Sequence, residues 1–104
     1  MNKREEHQEN PINRSALSAM THRIDLYKQH KLDLPQLASS LSSIAGGMIN
    51  PPADWRNSFM QYWGVIEQAN ALALDSGKVE PLAEHRAILD KAIEDLQAFL
   101  EQGI

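Results

Sequence analysis

Apolar residues recur at steps of three and four from Asn13 onward, in the order Leu17, Met20, Ile24 and Tyr27. That spacing predicts an amphipathic helix, capped by Ser15 or by Asn13 and fading near His30–Lys31. A second helix is expected after Asp33, a suitable N-cap, with Leu34 and Pro35 in its first turn, where proline's missing amide hydrogen costs little. Leu34, Leu37, Leu41, Ile44 and Met48 then mark one face. The serines at 39, 40, 42 and 43 are poor helix formers, so packing must hold this segment. Gly46–Gly47 are expected to end it in the left-handed conformation that glycine adopts cheaply, and "NPP" at 50–52 is a rigid break before the next helix.

The third helix is expected from Asp54, or one turn earlier from Pro52, to about Asp75. It carries four of the six aromatic residues: Trp55, Phe59, Tyr62 and Trp63. On a helical wheel Phe59, Trp63, Ile66 and Asn70 share one stripe, with Trp55 and Ala73 on one shoulder and Leu74 on the other. Asn57, Gln61, Gly64, Gln68, Ala71 and Asp75 form the opposite, polar or small face. The rings therefore read as an inward-facing spine, and Trp55, Phe59, Trp63, Ile66 and Asn70 as structural core. Asn70 then needs hydrogen-bond partners, and Glu67 on the flank is placed to pair with Arg23 or Lys28. Gly64 is costly in mid-helix, unless another helix or a partner approaches it.

A fourth helix opens around Glu80–Pro81 and runs through Leu89, Ala92, Leu96 and Phe99 to Gly103. No segment alternates with period two for long enough to make a strand. The expected fold is all-α, a small antiparallel bundle of four main helices, and the Gly-Gly and Pro-Pro junction leaves room for extra short helices. Residues 1–12 read as a flexible polar tail and 13–104 as one helical domain, a size that buries a modest core without staples.

Composition narrows the classes. The chain has no cysteine, which removes disulfides and thiolate zinc sites. Its beginning is charged with no apolar stretch behind it, and the longest alanine–leucine run, Ala71 to Leu74, is far too short for a bilayer. The expectation is a cytoplasmic protein without a membrane segment. Net charge is −4, unevenly spread. Residues 1–50 hold six Lys/Arg against five Asp/Glu, and residues 51–104 hold four against nine. An acidic second half opposes nucleic-acid binding, which needs a basic patch, and suits a basic protein partner.

Catalytic and metal chemistry is not indicated. The histidines at 7, 22, 30 and 85 include no i, i+4 pair for zinc. His22 and Asp25 supply only two ligands. Glu84–His85 could pair an acid with a base, but no nucleophile accompanies them. No G-x-S-x-G elbow or phosphate loop is present. Arg14, Arg23, Lys28 and Lys31 with Tyr27 make a thin basic stripe offset by Asp25. The reading is a non-enzyme with no cofactor and no metal.

Asp54, Trp55, Phe59, Trp63, Gly64, Ile66, Glu67, Ala71, Ala73, Leu74 and Asp75 fit the pattern D-W-x3-F-x3-W-G-x-[IL]-E-x3-A-x-A-L-D. Leu34, Leu37 and Leu41 precede them as L-x-x-L-x-x-x-L. Together they resemble a group of small all-helical bacterial proteins similar to the immunity proteins of contact-dependent growth inhibition and other polymorphic toxin systems. The resemblance covers roughly residues 30–100 and consists mostly of core positions. It implies a monomeric inhibitor that binds a cognate toxin domain one to one and covers its active site or substrate groove. The toxin implied is a nuclease, with RNase activity first in expectation. Acidic residues suit the basic groove of such an enzyme, which makes Asp75, Glu80, Glu84, Asp90, Glu94, Asp95 and Glu101 the candidate contacts, with Gln61 and Gln68 as polar additions. The rival is a helical adaptor or homodimeric interaction protein with no toxin-related role.

Overall fold

A computed structural model describes residues 10–104. Four helices follow in order: α1 (Pro11–Lys28), α2 (Leu34–Gly46), α3 (Ala53–Asp75) and α4 (Arg86–Glu101), with a 3-10 turn at Ala83–His85 before the last. No strand occurs among the described residues. The helices form a small antiparallel bundle, in which α1 packs chiefly on α2 and α3 on α4, joined by lesser α2–α3 and α1–α4 seams.

Local chemistry sets most of the boundaries. α1 begins two residues earlier than its apolar spacing predicts. The Asn10 side chain accepts from the Ile12 and Asn13 amides at 2.9 and 3.2 Å, and Pro11 takes the first helical position. The last three positions of the expected tail, 10–12, are therefore the cap and first turn of α1, and its first nine lie outside the described residues. Ser15 and Asn13 are not caps. Asn13 is instead buried, its carboxamide donating to the Ile49 carbonyl at 2.9 Å and accepting from the Ile49 amide at 2.7 Å.

Asp33 caps α2 as expected and forms a reciprocal box. Its carboxylate accepts from the Gln36 amide, and the Gln36 side chain accepts from the Asp33 amide, each at 2.9 Å. Two orphan donors are satisfied at once. The helix does not end through left-handed glycine, because Gly47 has φ −89°. Asn50 turns the chain instead, at φ 43°. Asparagine tolerates that region better than most side chains.

α3 has no side-chain cap, although the Asp54 carboxylate accepts from the Trp55 amide at 2.9 Å. Its end is secured by Gly77 at φ 73°. The Lys78 amide donates to the Ala73 carbonyl at 2.8 Å and the Gly77 amide to Leu74 at 2.9 Å, the paired bonds of a Schellman motif. α4 starts later than expected. Glu80 and Pro81 are not helical, Ala83–His85 make the 3-10 turn, and the helix runs from Arg86 to Glu101.

The core is a single cluster from all four helices, with Met20, Ile24, Leu34, Leu37, Leu41, Ile66, Leu89 and Leu96 fully buried. Trp55, Phe59 and Ile66 take the buried positions their stripe predicts, and Ala73 joins them, whereas Leu74 faces outward. Trp55 stacks on Phe59 with ring centres 5.6 Å apart and meets Phe99 of α4 at 5.5 Å, an aromatic seam between α3 and α4. Trp63 departs from the expectation. It is half-buried, packed against the rim of the core, and its indole donates to the Ala38 carbonyl at 2.9 Å. The ring reaches sideways to α2 rather than inward. Asn70 is buried as expected, but its Oδ1 has no hydrogen-bond partner. Glu67 makes no ion pair with Arg23 or Lys28, whose ammonium bonds Gln97 instead. At Gly64, no atom approaches within 4 Å of where a Cβ would stand, so no other helix requires the glycine.

Candidate functional site

Helix geometry distributes the candidate contact residues over the surface. On α4, Asp90, Glu94 and Glu101 fall within about forty degrees of one another on the helical wheel, and all three are exposed. Arg86 and Gln97 share that stripe, and Gln97 ties it to α1 through bonds to Lys28 and Asp25. Asp95 stands apart around the helix, partly shielded, and pairs with Lys91 one turn earlier at 3.4 Å. That i, i+4 pair is exposed and contributes a few tenths of a kcal/mol at about the scale known for such pairs. Glu84 is exposed in the 3-10 turn, and Glu80 on the segment before it. Gln61, Gln68 and Asp75 share the outer face of α3 and are exposed.

Three of these nine residues meet in one place. A groove of about 640 Å³ runs between the C-terminal end of α1, the turn into α2, the segment 79–81 and the first turns of α4. Glu80, Asp90 and Glu94 line its α4 side together with Arg86. Lys28, His30 and Lys31 line the α1 side. Leu34 and Ile93 form a buried apolar floor, and the Leu34 amide donates to the Val79 carbonyl at 3.3 Å, fastening the 79–81 segment to the start of α2. Asp75, Glu84, Asp95, Glu101, Gln61 and Gln68 lie outside this groove.

The groove contains both signs of charge. No ion pair joins its described charged residues to one another. Tyr27 stands half-buried against its wall. Burial pushes the phenol above its ordinary pKa of 10.0, the Arg86 guanidinium pulls it back, and the Asp90 and Glu80 carboxylates push it up further. Tyr27, Glu80, Arg86 and Asp90 all line this groove.

A second groove, of about 370 Å³, lies between the end of α2 and the first half of α3. Met48, Trp55, Phe59, Met60 and Trp63 line it together with Ser42 and Arg56, and its surface is polar and apolar in about equal parts. The half-buried face of Trp63 borders it. The buried Nε1 of Trp55 has no acceptor, whereas that of Trp63 is satisfied by Ala38.

Glu84 and His85 do not lie on a helix face. Both belong to the 3-10 turn, Glu84 exposed and His85 half-buried with its Nδ1 unpartnered. No group of three metal-ligating side chains comes together among the described residues, and no described helix is long and apolar enough to cross a membrane. Sequence reasoning names Tyr27, Lys28 and Lys31 as one basic stripe but misses Arg86 and the meeting of that stripe with Glu80, Asp90 and Glu94. Only the α1–α4 seam brings them together, and no local spacing records that seam. No family model, curated protein or solved structure matches the chain.

Proposed function

We propose that the chain is an immunity-type inhibitor that acts in the cytoplasm, binding a basic toxin domain one to one and covering its active site or substrate groove. The toxin class proposed is a nuclease, RNase activity first, because enzymes that hold phosphate backbones must present cationic surfaces. The observation that carries the reading is the state of the α4 stripe. Asp90, Glu94 and Glu101 project to solvent from one helix face, without ion pairs, while the bundle's aromatic side chains are engaged in packing. Such a stripe is available to a cationic surface and needs no rearrangement of the core. Carboxylates there accelerate encounter and set orientation more than they add raw affinity.

The test is co-expression with the variable C-terminal domain of an exported protein encoded immediately upstream. Growth rescue and a one-to-one complex are expected. Asp90→Lys, Glu94→Lys and Glu101→Lys combined should weaken the complex by about a hundredfold, roughly 3 kcal/mol, while helix content and melting stay as they are. Affinity unchanged at physiological salt would remove the acidic-stripe mechanism. A homodimer in sedimentation at micromolar concentration, with no rescue, would favour the adaptor reading instead.

A further inference from the structure

The geometry points to the groove between α1 and α4 as a docking site for a short segment of a protein partner that carries one basic and one acidic side chain. The inference goes beyond the toxin reading and does not depend on what the partner does.

The occupant follows from the walls. Lys28, His30 and Lys31 line the groove from the α1 side, with Asp33 beside them engaged in capping α2. Glu80, Asp90 and Glu94 line the opposite side with Arg86 among them. These opposite charges are held apart rather than paired. Isolated exposed ion pairs gain little, so their separation costs the free protein little and leaves both walls ready for complementary groups. A phosphate backbone would meet three carboxylates. An all-basic segment would meet Lys31 and Arg86, and an all-acidic one Glu80, Asp90 and Glu94. A segment bearing both signs satisfies both walls, its cation toward Asp90 and Glu94 and its anion toward Lys31. Leu34 and Ile93 supply an apolar floor for the intervening chain, and exposed Val79 borders it. The volume, about 640 Å³, lies within the range of formed ligand pockets, and accommodates a few residues rather than a folded element.

Amide NMR of the full chain, titrated with capped tetrapeptides, tests this. One probe carries arginine and glutamate at its two ends, and the control carries glutamine at both. Saturable shifts confined to Tyr27, Leu32, Val79 and Arg86 are expected with the charged probe, weakened at high salt, and absent with the control. Asp90→Lys with Glu94→Lys should weaken the charged probe about tenfold or more, as should Lys31→Glu from the opposite wall. Glu101→Lys, on the same helix stripe but outside the groove, should leave it unchanged. No shifts at millimolar probe, equal shifts with the glutamine control, or an equal loss on Glu101→Lys would each overturn the proposal. Toxin rescue and probe binding are separate readouts, so failure of either leaves the other interpretable.

Discussion

Asn13 and Asn70 are both buried, yet the carboxamide of Asn13 closes two bonds on Ile49 whereas that of Asn70 leaves Oδ1 unpaired. Removing the first therefore strips a clasp between α1 and the turn after α2, while removing the second relieves an unmet polar atom. In chemical denaturation, Asn13→Leu should cost about 2 kcal/mol, the scale of a broken buried hydrogen-bond pair. Asn70→Leu should be neutral or stabilising, since replacing an unsatisfied group by an apolar one of similar size removes a penalty. The burden on Asn70 is visible in sequence because the residue sits within an apolar stripe. The clasp at Asn13 is not, because its partner lies thirty-six positions along the chain, beyond any local pattern. The aromatic residues divide in the same way. Phe59 is 2 % exposed, and Phe59→Ala should cost on the order of 3–5 kcal/mol. Trp63→Ala should cost less than that, and Trp63→Phe about 1 kcal/mol for the lost bond to Ala38. A reversed order of melting temperatures would show that the indole, not the phenyl ring, anchors the bundle.

Helix boundaries were legible wherever side chains adjacent in sequence set them. Asp33 and Gln36 close a box over three residues, and Ser76–Gly77–Lys78 end α3, both readable from local chemistry. The junctions after α2 and before α4 were not. Asn50, rather than glycine, takes the left-handed turn, and buried Pro81 leads into a 3-10 turn instead of opening a helix. Packing of the connection decides these, not intrinsic preference. Gly64 gives the element-level test. It lies inside a 23-residue helix with open space where a Cβ would stand. Gly64→Ala should stabilise the protein by roughly 0.5–1 kcal/mol, by helix propensity and the unfolded chain's lost freedom. A drop in the thermal midpoint would show that close approach to the backbone matters.

At the scale of the molecule, the four-helix architecture followed from periodicity, but the groove did not, because its walls come from the first and last helices. Tyr27 reports on that junction. Its folded pKa lies above the unfolded value of 10.0, so the contribution it makes is complete below about pH 10 and is lost as pH rises through the folded pKa. Burial of the phenol, the opposing Arg86 guanidinium, and the Asp90 and Glu80 carboxylates set that direction. Stability should fall on alkalinisation above pH 10, and Tyr27→Phe should flatten the fall, as followed by urea midpoints across that range. The chain is built as two helical hairpins, α1–α2 and α3–α4, whose mutual contact at α1–α4 is slighter than the packing within either. Gln97, bonded to Lys28 and Asp25, rivets the hairpins beside the groove, whose wall includes Lys28. A peptide seated there would bridge the halves like a strap. Deuterium uptake by the amides at the end of α1 should slow with occupancy, while those deep in the α3–α4 hairpin keep their free-state rates.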